Sequence, residues 1–465
     1  MEKKNLVIDV NENPKRLRDW FLFSIQHILA MLVACITVPL ITGLPIGATL
    51  IAAGIGTLFY IFATKKKSPV FLSSSFAYIA PMQSALLLGT TYPKWDKLAA
   101  QFVSSGNANY LAVIIGMAFV GLIYVLISVI IKFLGTKWIN KLLPPVVIGP
   151  IIMCIGLSLA GSAINNVSSL AIEEGSVYMS IFIALVGMVA TALASHYGKK
   201  TIQLIPFVIG MGSAYLLAVV STLIGNALDV NALKVINFTP LTSFDWGNIK
   251  SYFTSDFMFT LAANQSIKID GALLASIAVL FVPVAFVTVC EHIGDHKNLG
   301  NIIDKDLLND EPGITRTLIG DGVATALSGG ICGAANTTYG ENVAVIGVSK
   351  IASVNVIIVA SIMAIIFGFF APLTALLQTI PSCITGGISL ILYGFIASSG
   401  VNLIIKEKVD FSKTKNIIVA SIILISGIGG FSITIGKVTI TPIAMAMILG
   451  IIMNSILREK KEEIQ

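Results

Sequence analysis

VCEHIGDHKNLG (Val289–Gly300), the polar turn IIDKDLLNDEPGITR (Ile302–Arg316) and LIGDGVATALSGGICGAANTTYGENVAVIGVSK (Leu318–Lys350) make up the stretch that decides the fold. Carboxylates, glycines and hydroxyls crowd into it, while the apolar segments around it keep charge out. A carboxylate inside an apolar segment is costly and is usually kept for a substrate, an ion or a partner. Glu291 and Glu341 occupy such positions.

Outward from this stretch, the 465 residues are 55% hydrophobic and 12% charged, with mean hydropathy +0.89. A soluble chain carries about 25% charged residues, so this composition describes an all-α polytopic membrane protein. Between Lys350 and Lys406 there is no Asp, Glu, Lys or Arg. That interval far exceeds the ~20 residues that span a bilayer, and Pro372, Pro381, Gly386 and Gly387 break it, so it holds two spans. The cysteines (Cys35, Cys154, Cys290, Cys332, Cys383) all lie in apolar segments at no metal-like spacing. They read as small buried hydrophobes rather than a disulfide framework. The polar first 19 residues contain no short apolar region with a cleavage site, so no signal peptide is expected.

Apolar segments run at about 20–43, 46–64, 69–88, 109–131, 143–163, 176–195 and 203–224, and after a polar connection at about 272–293, 318–336, 340–349, 353–378, 385–404, 416–436 and 439–457. With a cytoplasmic N-terminus, only Lys94, Lys97, Lys234, Lys250, Lys268 and Lys437 of the 30 basic residues fall outside. This bias supports fourteen spans with both termini inside. It also explains the net charge of +6 as a topology signal, which excludes a nucleic-acid surface. Seven spans per half is an odd number, so homologous halves would form a 7+7 inverted repeat, a common transporter plan with its site at the midplane. FLSSSFAYIAPM (Phe71–Met82) in the third segment and ANTTYGENVAVIG (Ala335–Gly347) in the tenth share a pattern of hydroxyls, an aromatic and a short apolar run. Each is expected to be a brief extended piece followed by a half-helix. Open backbone at that depth is tolerated only where it lines a cavity or is buried by protein.

Asp295 lies one turn after Glu291, on the same helix face. The bland alternative for both is a solvated helix end, since Lys297 and Asn298 follow. Glu341 follows Tyr339 and Gly340 at the expected half-helix start, where free N–H groups and the helix dipole favour an anion or a carbonyl oxygen. His292 and His296 complete an H-x-x-D-H pattern that resembles an inverted zinc motif, but there is no third ligand nearby and Gly294 weakens the helix. A metal site and an intramembrane metalloenzyme are therefore not expected. Gln26 and His27 in the first span read as a hydrogen-bonded structural pair.

NTTY followed by GENVAVIGVSK, EHIGD in the eighth segment, QHILAM in the first and SSSFAYIAPM in the third resemble the nucleobase/ascorbate transporter family, in its bacterial uracil permease branch. The resemblance runs over nearly the whole chain. It implies a core domain from spans 1–4 (20–135) and 8–11 (271–380), and a gate domain from spans 5–7 (136–228) and 12–14 (381–457). Around these lie a tail at 1–19, an extracellular connection at 229–270 and a second tail at 458–465. The resemblance assigns substrate contacts to Glu291, Glu341, Phe76 and Gly340, with Tyr339 beside them. Asp295, His27, Ser389 and Tyr393 would belong to the proton-coupling surroundings. Some uracil permeases carry His where this chain has Asp295, which leaves the details of coupling open.

These implications amount to a plasma-membrane uracil transporter, forming a homodimer, without a cofactor and coupled to protons, with sodium as the alternative ion. A purine permease of the same family is the alternative substrate reading. In the purine branch Gln typically matches Glu341, so Glu341 favours a pyrimidine. An anion transporter would need a cation facing the half-helix N-termini, and none stands in either broken segment. Uracil presents two N–H donors flanking one carbonyl, with a second carbonyl beyond. Two carboxylates can accept the N–H groups while backbone N–H groups donate to the carbonyls. A base lacking those donors would leave buried carboxylates unpartnered. Carboxylates brought together in a dry site also hold a proton between them, which suits a proton carrier with Glu291 as its main member.

Overall fold

The computed structural model describes residues 6–88, 108–136, 138, 142–172, 175–203, 205–242, 269–435 and 438–457. Five of the six basic residues expected outside (Lys94, Lys97, Lys250, Lys268, Lys437), the 458–465 tail and most of the 229–270 connection lie outside the described residues.

The chain runs through α1 (Leu17–Thr42), α2 (Ile46–Ala63), strand β1 (Leu72–Ser74), a 3-10 turn at Phe76–Tyr78, α3 (Ile79–Leu86), α4 (Tyr110–Leu134), α5 (Pro145–Ser158), α6 (Ala160–Val167), α7 (Val177–Tyr197) and α8 (Pro206–Ala227). It continues through α9 (Gly271–Ile303), α10 (Gly313–Gly330), β2 (Asn336–Thr338), α11 (Gly340–Ser349), α12 (Val354–Phe369), α13 (Ala371–Gln378), α14 (Ser382–Lys406), α15 (Thr414–Ile428), a β3–β4 hairpin (Ile433–Ile435, Val438–Ile440) and α16 (Pro442–Ile456). Among the described residues, eight helical segments are long and apolar enough to cross a membrane, nine if α12 and α13, bent by 73° at their junction, make one. The chain is a multi-pass membrane protein.

Local chemistry sets many of the ends. Gly43, with φ 81°, closes α1 where a side chain would be strained. The Asn109 and Asp270 side chains cap α4 and α9 by accepting from Ala112 N and Leu273 N. Prolines open α5, α8 and α16 at positions where a helix needs no donor. On α7, Phe182, Leu185, Val189 and Leu193 are exposed at helical spacing, an apolar stripe suited to lipid.

Two packed groups emerge. In one, α10 lies against α4 and α2, and α12 against α2; in the other, α14 lies against α5, α6 and α7, and α15 against α16 and α5. Glycines permit the tightest crossings of the second group. A Cβ on Gly387 would sit 2.2 Å from Ala184 O, and one on Gly400 would sit 2.4 Å from Gly149 O.

Both broken segments have the expected form, a three-residue strand and then a helix. β1 and β2 pair antiparallel, Leu72 with Thr338, Ser73 with Thr337 and Ser74 with Asn336. The half-helices α3 and α11 therefore leave the crossing in opposite directions. Three expectations need correction. α9 continues ten residues beyond 293, because one face of its polar continuation packs on protein: His292, His296, Leu299 and Ile303 are buried while Lys297 and Asn298 stay exposed. The ninth segment stops at Gly330, short of 336, where Cys332 takes φ 59° and the chain turns into β2. The thirteenth stops at Ile428, short of 436. Gly429 and Gly430 end it there, and the β-branched Ile433–Ile435 and Val438–Ile440 form a hairpin instead.

Glu311 ties the loop after α2 to the loop before α10, accepting from Lys65 Nζ at 3.0 Å and from Lys67 Nζ. The two ammonium groups, Lys67 foremost, hold this exposed carboxyl at about 2. A lowered value in the folded state means that the contribution is complete above the ordinary carboxylate range and is lost as pH falls from about 4 to about 2. Glu311→Gln should flatten that part of the pH profile of the thermal midpoint, and added salt should shrink the difference. Identical acid limbs in the two proteins would rule this out.

Candidate functional site

The site forms where α9 passes the β1–β2 crossing. α9 is about 50 Å long, and Glu291 and Asp295 lie within it, twelve and eight residues before its last residue Ile303. Asp295 reaches the second strand: its Oδ2 accepts from Thr338 Oγ1 at 3.1 Å, and its Oδ1 faces Gly340. Gly340 and Glu341 begin α11; Asn342 N and Val343 N donate to Tyr339 O, which leaves the N–H groups of Gly340 and Glu341 without a carbonyl partner in the helix. Glu291 lies within electrostatic reach of Asp295 and Glu341, and Glu341 within reach of Asp295. Glu291 and Gly340 are exposed while Asp295 and Glu341 are half-buried. The three carboxylates thus gather beside the start of α11.

Aromatic rings flank the crossing. Phe76 follows β1, Tyr339 follows β2, both are buried, and their ring centroids are 6.4 Å apart at 44°. The two rings and the two half-helix starts give a planar ligand apolar cover beside polar edges. His27 from α1 supports the same place: its Nδ1 donates to Oδ1 of Asn342, the residue after Glu341. Ser389 and Tyr393 stand elsewhere, buried one turn apart in α14. Among the described residues, no hydrogen bond or ring contact joins them to the carboxylates.

Behind the carboxylates the helices enclose a second polar group. His292 Nδ1 lies 2.7 Å from Asp321 Oδ2, and His292 Nε2 lies 3.0 Å from Thr317 Oγ1. Thr317 spends its only hydroxyl proton on Ile314 O, so it must accept from His292, whose Nε2 carries hydrogen. The His292–Asp321 contact therefore shares one proton, on the imidazole or on the carboxyl, and the pair is neutral either way. His296 Nδ1 donates to His292 O at 2.9 Å, which leaves Nε2 to accept from Tyr60 O–H at 2.6 Å; Tyr60 in turn meets Ser68 at 2.8 Å. All four imidazole nitrogens are engaged by protein groups, which accounts for the H-x-x-D-H pattern without a metal.

Nothing in the order of residues marks Asp321 or Asn342 as the partner of a histidine, and Thr338 stands out only as one of the hydroxyls of the tenth segment, not as a partner of Asp295. Asp321 stands in an apolar helix, so the rule that singled out Glu291 would have found it. Its Gly-Asp-Gly setting reads as a turn.

The Xan_ur_permease family, described as a permease family, matches residues 18–436. A uracil permease of Bacillus caldolyticus is 36% identical over 97% of this chain and 94% of its own length. The uracil permease of Bacillus subtilis (strain 168) is 34% identical over 100% and 98%, and that of Escherichia coli (strain K12) 34% over 96% and 92%. In fold the chain is similar to the murine anion transporter Slc26a9 in its inward-facing state, with TM-score 0.63 and 11% identity over 96% of this chain and 69% of that one. It is also similar to the transmembrane domain of the cyanobacterial bicarbonate transporter BicA, with TM-score 0.57 and 13% identity over 96% and 99%.

Proposed function

The chain belongs to this permease family, and from that membership we propose that it imports uracil across the plasma membrane together with a proton. The observation that carries the reading is the meeting of Glu291 and Asp295 on α9 with Glu341 at the start of α11, beside the β1–β2 crossing. Glu291 and Glu341 accept the two ring N–H groups of uracil, and first-turn N–H groups of the half-helices donate to its carbonyls. Phe76 and Tyr339 cover the ring faces. Glu291 carries the coupled proton, with Asp295 beside it.

The same reading extends to fourteen segments with both termini cytoplasmic, to a homodimer, and to a core group of helices that moves against a gate group to give alternating access. Ser389 and Tyr393 belong to the gate group and approach the site only as the groups move. Purified protein in liposomes with an imposed inward proton gradient should accumulate labelled uracil with or without sodium. Accumulation of xanthine alone would overturn the substrate, and uptake that requires sodium would overturn the ion.

A further inference from the structure

We infer that the N-terminal segment, residues 7–13, is a positioning element of the binding site that clamps the far end of the half-helix carrying Glu341. The inference rests on the reading of Glu341 as a substrate contact.

α11 has ten residues, about 15 Å of helix, too few to hold its own geometry or to reach both faces of a bilayer. One end lies in the site, so its orientation depends on what holds the other. That end is Lys350, in left-handed conformation at φ 61° with its N–H returned to Ile346 O. The Lys350 carbonyl accepts from Val7 N at 2.8 Å and from Ile8 N at 3.3 Å. The segment then follows the α11–α12 junction: Ile8 forms an isolated bridge with Ile351, Ala352 N donates to Ile8 O, Val354 N to Val10 O and Ser353 Oγ to Glu12 O. Val10 is 1% exposed, so the contact is packed as well as hydrogen-bonded.

The segment is fastened in turn to α1. Trp20 Nε1 donates to Pro14 O at 2.9 Å, and Ser24 Oγ to Val356 O at 3.1 Å. One turn further along α1, His27 holds Asn342 at the site end of α11. α1 and α11 are therefore joined at both ends, by His27–Asn342 beside Glu341 and by the N-terminal segment at Lys350. A short helix held in this way presents Glu341 in one orientation, and loosening either end spreads that orientation.

Three measurements test the clamp. Val10→Asp, which puts a charge into the packed contact, and deletion of residues 2–13 should each weaken uracil binding about fivefold or more. A peptide of residues 1–14 added to the deleted protein should restore binding. Linkage requires the reverse as well: in wild type, saturating uracil should slow amide hydrogen exchange at Val7, Ala352 and Val354 by the same factor. Without any ligand, the α11 amides from Val345 to Ser349 should exchange faster in either variant. Unchanged α11 exchange in both variants, or unchanged Val7, Ala352 and Val354 exchange when uracil binds, would overturn the clamp. If wild type binds no uracil, the functional reading falls and the ligand-free α11 exchange alone decides the clamp.

Discussion

Glu341→Gln is expected to raise the dissociation constant for uracil about 10- to 100-fold, and to abolish gradient-driven accumulation. The carboxylate offers only acceptors to a ring N–H. The amide offers one acceptor and a donor that would meet that N–H head on. A hydrogen bond to a charged group contributes about 1.5–3 kcal/mol, and 1.4 kcal/mol is tenfold in affinity. Position strengthens the expectation: Glu341 lies in the first turn of α11 beside Asp295 and Gly340. Calorimetric titration of wild type and variant with uracil measures the change. A variant binding within twofold of wild type would remove Glu341 from the substrate. Strong loss of transport at unchanged affinity would instead move its role to coupling.

The largest stability effect should fall on a residue outside the ligand space. Asp321→Ala leaves Nδ1 of a neutral His292 without its partner inside a fully buried pair, and an unsatisfied buried group costs about 1–3 kcal/mol. Asp321→Asn should stay within about 1 kcal/mol, because the amide N–H can donate to Nδ1 of a neutral His292 whose Nε2–H already goes to Thr317. Thermal and denaturant unfolding in detergent would separate the two. Equal losses in Ala and Asn would mean that the proton sits on His292 and that a negative partner is required.

The sequence announced its broken segments because they violate local rules in the same way twice. Ser73–Ser75 before Phe76, and Thr337–Thr338 before Tyr339, place hydroxyls and an aromatic where an uninterrupted apolar helix would be cheapest. Glu291 and Glu341 were legible for a related reason, since each interrupts an apolar run. The continuation of α9 was hidden by Lys297 and Asn298, which look like a helix leaving the membrane. Only the packing of His292 against Asp321 and of His296 against Tyr60 shows that one face of this part is buried. The β3–β4 hairpin was hidden because Ile-Thr-Ile and Val-Thr-Ile are as apolar in a helix as in a strand. His27 was legible as a structural residue, but Asn342, its partner, was not, since nothing in the order of residues aligns α1 with α11.

The pairing of Leu72–Ser74 with Asn336–Thr338 also bears on how the chain is made. Each strand satisfies backbone groups that lipid cannot, and the first leaves the ribosome long before the second exists. Until then the nascent third segment has no mate, and it must wait beside the insertion machinery or in a provisional, wetter arrangement. The first half of the chain is therefore not a finished folding unit. Biogenesis is complete only when the tenth segment arrives, so a chain cut short before Asn336 leaves the membrane a product with its central seam open.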